Sequence, residues 1–70
     1  MTTLTLRWRS ERLVVARWPP EHSLPALPPG CFFSLTRTDD ELSLVVSAEH
    51  LPDGAEQIET GWRAAAVVGP

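Results

Sequence analysis

The strongest constraint on this chain is residues 31–46, CFFSLTRTDDELSLVV, where two runs of alternating apolar and polar residues flank a polar turn. Period-2 alternation of this kind predicts two half-buried strands joined as a β-hairpin. Register tests the pairing, because a slip of one residue sends every side chain of a strand to the opposite face. Closing the hairpin around Asp39 and Asp40 sets Leu35 opposite Leu44, Phe33 opposite Val46 and Arg37 opposite Leu42. One face then carries Phe33, Leu35, Leu42, Leu44 and Val46. The other carries Ser34, Thr36, Ser43 and Ser47 with Phe32 and Val45, a partly covered surface. Two-residue hairpin turns want φ > 0, which Asp tolerates less well than Gly or Asn. A four-residue loop over 38–41 is therefore expected, with Asp39 as its hydrogen-bonding residue.

Residues 3–18 give a second hairpin signal. Leu4, Leu6 and Trp8 alternate with Thr3, Thr5, Arg7 and Arg9, a Ser10-Glu11 turn follows, and then comes LVVARW over 13–18. The first strand reads as half exposed. The second is apolar on both faces for most of its length, as a central strand would be. Pro19 and Pro20 end it, since proline cannot donate to a sheet ladder. Between Pro20 and Gly30 the sequence PEHSLPALPPG leaves room for one helical turn at most, around His22 to Leu27. Ser47 is placed to N-cap a short turn through Leu51, which Pro52 and Asp53-Gly54 would close. Residues 55–61 read as a loop, and 62–68 as a last strand stopped by Gly69-Pro70.

The order is an extra N-terminal strand followed by strand, link, strand, strand, link, strand. That is the βαββαβ order of an α+β, ferredoxin-like fold with shortened helices. Links this short are expected to leave part of the sheet's apolar face bare, so that a second copy or another domain must cover it.

Size and composition set the class. Seventy residues make one domain, spanning 1–70, and a chain of that length buries only about 60% of its unfolded surface. With 43% hydrophobic and 21% charged residues the composition is globular. The net charge of −3 weighs against non-specific nucleic-acid binding, yet the charge is uneven. Residues 1–38 hold five Arg and two Glu, and residues 39–70 hold one Arg and seven acids, an asymmetry able to orient a partner. The single Cys31 excludes an internal disulfide and suits a reducing compartment, with the thiol read as a small core residue. No charged-then-apolar leader begins the sequence and no apolar run approaches the ~20 residues of a membrane span. The expected location is the cytoplasm.

No catalytic constellation is visible, and no enzyme is expected. His22 and His50 fall in separate links and Cys31 at a strand, so nothing in their spacing joins a nucleophile to a base. Three scattered candidates do not make the paired spacing of a zinc site. Asp39, Asp40 and Glu41 lack the glycine-punctuated loop of a calcium site and read as a solvated turn. The four glycines stand apart at element boundaries, with no phosphate-binding loop. No cofactor or metal is expected. RWRSERLVVARW has the arginines and tryptophans of a single-strand nucleic-acid binder, but Trp8 shares a face with Leu4, Leu6, Leu13 and Val15, which favours core packing over base stacking.

Residues 12–70 resemble the first half of small bacterial ACT-domain proteins related to the eukaryotic cytosolic arginine sensor. The resemblance is carried by Thr38, Asp40, Glu41, Leu42 and Ser43, read as T-D-D-E-L-S with Asp39, by the Leu51-Pro52 link, and by Gly61, Trp62 and Arg63. It implies a non-catalytic regulatory module that contributes to amino-acid binding and to oligomer assembly. Its implied ligand is a free amino acid, and its implied partner a further copy or a second ACT unit. In that family the second unit follows a Gly-Pro like Gly69-Pro70, where this sequence ends. The family motif makes Thr38, Asp39, Asp40, Glu41 and Ser43 the candidate ligand-binding positions. Two other readings stand beside it: a nucleic-acid-binding module using the Arg-rich N-terminal hairpin, and a purely structural half-domain.

Overall fold

A computed structural model describes residues 4–68; the Gly69-Pro70 stop and Thr3 lie outside the described residues. Six strands follow in order, β1 (Thr5–Trp8), β2 (Leu13–Trp18), β3 (Phe33–Arg37), β4 (Leu42–Ser47), β5 (Gln57–Trp62) and β6 (Ala65–Val68), with one 3-10 turn at Ala48–His50. They form a four-stranded sheet of order β3-β4-β2-β5 and a separate two-stranded ribbon of β1 and β6, antiparallel throughout.

The expected α+β ferredoxin-like fold with shortened helices is overturned, and with it the ACT-type architecture, because no α-helix forms among the described residues. The reason is local. Prolines at 19, 20, 25, 28 and 29 hold the first link extended, and Pro52 with Gly54 stops the second after a single 3-10 turn. A helix shorter than about 12 residues has little stability of its own.

The central hairpin forms in the expected register, with Phe33 opposite Val46, Leu35 opposite Leu44 and Arg37 opposite Leu42. β2 lies between β4 and β5, and pairs Val14 with Val46, Ala16 with Leu44 and Trp18 with Leu42. Cross-strand partners point to the same side. These six residues therefore make one apolar layer, and Leu42, Leu44 and Val46 are 0% exposed. Burying a side chain of this size is worth about 1.5–3 kcal/mol.

The links cover the centre of that layer, while part of the sheet's apolar face stays bare as expected, with Phe33 opposite Val46 and Ile58 opposite Ala16 each 48% exposed. Leu27 and Cys31 from the first link, and Leu51 and Ala55 from the second, pack against it. Proline-rich chain does this without a helix because apolar burial depends on contact area, not on backbone form. Phe33 departs from the expected core, remaining 48% exposed at the edge strand β3.

The expected N-terminal hairpin does not form. β1 pairs with β6, setting Leu6 opposite Val67 and Trp8 opposite Ala65, and the β1–β2 connection crosses from ribbon to sheet. Residues 57–61, read as loop, belong to β5, and 62–68 is split between β5 and β6. The split follows from Gly61. Between the pairs Val15–Glu59 and Leu13–Trp62 the β5 strand carries one extra residue, and Gly61 in that bulge has φ +83°. Glycine reaches this region without the Cβ penalty, and the bulge turns the chain out of the sheet.

Candidate functional site

Of the family-motif residues, Thr38, Asp39, Asp40 and Glu41 occupy the β3–β4 turn and Ser43 lies in β4; Thr38 and the two aspartates are exposed, Glu41 and Ser43 half-buried. Thr38, not Asp39, organises the loop: its Oγ1 accepts from the backbone N–H groups of Asp40 and Glu41, both at 3.2 Å. The Thr38 N–H donates to the Glu41 carbonyl at 2.9 Å. A hydroxyl reaching two and three residues ahead does the work expected of an Asx turn, and leaves both aspartates exposed to solvent. Glu41 turns aside to the sheet, its Oε2 3.0 Å from Arg17 Nε. Ser43 lies opposite Arg17 on β2 and Thr36 on β3. Arg17 also binds Glu59 at 2.6 Å, so one guanidinium joins β2, β5 and the hairpin turn. That bond is the first cause of the Glu59 carboxyl lying below, and the Arg17 guanidinium above, its usual pKa.

The other sequence candidates stay apart. His22 stacks on Trp18 with ring centres 5.6 Å apart, and its Nδ1 lies 2.8 Å from the Ser23 carbonyl. His50 sits in the 3-10 turn and Cys31 Sγ contacts the Phe32 carbonyl. Among the described residues no three His, Cys, Asp or Glu side chains converge as metal ligands would.

The concave feature lies at the opposite end of β4, about five residues and ~16 Å along the strand from Leu42. Glu11, Arg12, Ser47, Ala48 and Glu49 line a cleft of about 200 Å³. The β2–β4 ladder ends here: Leu13 pairs with Ser47, and the Ala48 N–H donates to the Arg12 carbonyl at 2.9 Å. Ser47 is buried at the N-cap of the 3-10 turn but does not cap it with its side chain. Its Oγ instead donates to Glu11 Oε2 at 3.0 Å.

The second Glu11 oxygen accepts from Arg9 Nε at 2.7 Å, and the Arg9 guanidinium lies over the Phe32 ring, 4.4 Å from its centre. The bond from Arg9, and secondarily that from Ser47, hold the Glu11 carboxyl below the usual glutamate range. The cleft therefore presents a fixed carboxylate, while Arg12 and Glu49 at its rim are exposed and form no ion pair among the described residues.

Sequence reading missed this site. It takes Ser10-Glu11 for a hairpin turn and Ser47 for a side-chain cap, whereas the cleft arises from pairing between residues 34 apart, Leu13 with Ser47. The tryptophans also differ from expectation. Trp18 is buried, but Trp8 is 62% exposed, with the Arg63 guanidinium 5.4 Å from its ring centre.

Residues 11–54 match a family model described as an N-terminal domain and named after one member protein. The chain belongs to this N-terminal-domain family. The matched segment holds β2, β3, β4 and the cleft residues, and leaves the ribbon and β5 outside. Among solved structures the chain is similar to protein Atu0741 from Agobacterium tumefaciens, with 32% identity and a TM-score of 0.82. The match covers 96% of this chain and 50% of that one, so the chain spans half the length of its structural relative. Neither description mentions an ACT domain or an arginine sensor. A search of the curated proteins found no match. Among the described residues no helix is long and apolar enough to cross a membrane.

Proposed function

We propose that this chain is a non-catalytic regulatory module that binds a free amino acid and takes part in assembly. The observation that carries the ligand half is the cleft at Glu11, Arg12, Ser47, Ala48 and Glu49. At about 200 Å³ it is smaller than the ~300–1,000 Å³ of sites for drug-sized ligands, which favours a small metabolite over a nucleotide. Its rim carries both signs of charge. Arg12 offers the forked donor geometry that suits an α-carboxylate, and Glu49 with Glu11 offers acceptors to an ammonium group. A cytoplasmic location agrees with the free thiol of Cys31.

A thermal-shift screen of the common amino acids tests the reading. A ligand at a hundred times its Kd should stabilise the folded chain by about 2.7 kcal/mol, and Arg12→Ala should remove the shift without lowering the unliganded Tm. Absence of any shift across the screen would leave the structural half-domain reading in its place.

One observation favours a nucleic-acid role: Trp8 is exposed with the Arg63 guanidinium over its ring. Base stacking on a basic surface needs such a ring. Oligonucleotide binding that weakens steeply with salt and is lost in Trp8→Ala would support that role over the amino-acid reading.

A further inference from the structure

The ribbon is built differently from the rest of the molecule. Leu4, Leu6 and Trp8 alternate onto one face of β1, and Val67 opposite Leu6 shares it. All four are exposed, although a lone two-stranded hairpin is marginally stable in water. Apart from the Arg63 guanidinium over the Trp8 ring, nothing among the described residues covers this face enough to bury it, whereas the four-stranded sheet has the centre of its core layer covered.

Charge discriminates between occupants. Residues 4–9 and 63–68 hold Arg7, Arg9 and Arg63 and no acid, a local +3 in a chain whose total is −3, so the remaining residues carry −6. Glu11 answers Arg9, but no acid pairs with Arg7 or Arg63 among the described residues. Arg7 and Arg9 alternate onto the opposite face, but the Arg63 guanidinium sits over the Trp8 ring, so a symmetric dimer through this face would set Arg63 beside its own copy with no acid paired to it among the described residues, which is unfavourable.

Length adds the second argument. The match to the Agrobacterium protein covers 96% of the 70 residues, so no more than about three fall outside it. The eight residues of β1 and β6 therefore lie mostly inside the shared structure, in a protein with as much chain again beyond the match.

We propose that the Leu4, Leu6, Trp8 and Val67 face of the β1–β6 ribbon is the docking surface for a second folded domain, about as long as this chain and presenting an apolar patch rimmed by acids. The proposal rests on the assembly half of the function above and is independent of the cleft, so an empty thermal-shift screen leaves it standing.

Amide hydrogen exchange on this chain and on the Agrobacterium protein tests it. In this chain alone, the ribbon amides should exchange far faster than those of β2 and β4, and sedimentation should show a monomer across a tenfold concentration range. In the full-length Agrobacterium protein, the strands equivalent to β1 and β6 should exchange at least ten-fold more slowly than here, with the β2 and β4 equivalents differing little. Equal ribbon exchange in the two proteins would overturn the proposal. So would concentration-dependent dimerisation of this chain with protection of its ribbon, which would make a second copy the occupant.

Discussion

The four-stranded sheet and the two-stranded ribbon are made from the same kinds of residue, yet one buries its apolar face and the other does not. In the sheet, Val14, Ala16 and Trp18 on β2 meet Leu42, Leu44 and Val46 on β4, and two links close over them. In the ribbon, Leu6 and Trp8 meet Val67 and Ala65, and both sides of the pair remain at the surface. The difference lies in what crosses above each pair of strands. The sheet has chain on either side of the hairpin to fold back over it, whereas the ribbon joins the remote ends of the described chain. Polar anchoring stands in for burial there: the Arg9 N–H donates to the Ala64 carbonyl at 2.8 Å, and the Arg63 guanidinium donates to the Arg9 carbonyl at 3.2 Å. Stability should accordingly reside in the sheet, and the ribbon should tolerate change until a partner covers it.

The largest test of that contrast is Leu44→Ala. At 0% exposure in the centre of the layer, the truncation should cost about 2–5 kcal/mol, enough to unfold a small domain or bring it near its midpoint in water. Urea denaturation followed by Trp18 fluorescence measures it, and a loss under 1 kcal/mol would show that the layer is not the seat of stability.

Gly61→Ala comes next. No atom lies within 4 Å of the added Cβ, so the penalty is the left-handed backbone alone, about 1–2 kcal/mol. The change should loosen β6 from β1 while leaving the β2–β4 amides protected, and uniform loss of protection would mean that ribbon and sheet unfold as one unit.

Thr38→Ala should cost about 1 kcal/mol through the two backbone amides it leaves without their acceptor, and Asp40→Ala should cost less. The reverse order would return the organising role to the acidic pair.

A pH titration examines the ion pairs. The lowered pKa of Glu59 means that its contact with Arg17 stabilises the fold above the ordinary glutamate pKa of about 4.3, and that this stability is lost as pH falls through the lowered value. The same sign holds for Glu11 beside Arg9. Glu59→Gln should flatten the acid limb of the Tm profile, and an unchanged limb would count against the pair as a stabilising contact. Exposed pairs of this kind are screened by salt, so raising ionic strength should flatten the limb as well.

The smallest effect is expected for Leu6→Ser, within ~0.5 kcal/mol in this chain, because the side chain is already in water. A loss as large as that of Leu44→Ala would mean that the ribbon face is covered in solution.

The sequence alone determined the central hairpin, its register and its apolar face, because period-2 alternation about a short turn permits one closure that keeps Leu35, Leu42, Leu44 and Val46 together. The apolar run from Leu13 to Ala16 also pointed to β2 as a central strand, and β2 does lie between β4 and β5, although Val15 on its second face stays half-buried. Tertiary structure decided the rest. Whether Leu4, Leu6 and Trp8 pair with β2 or with β6 depends on strands more than fifty residues apart, and alternation is the same for either partner. Whether the links cover the core as helices or as extended chain was settled by prolines and by contact with Leu27, Cys31, Leu51 and Ala55. The cleft, likewise, exists only because the Leu13–Ser47 pairing brings Glu11 and Arg12 beside Glu49, a proximity that no local pattern encodes.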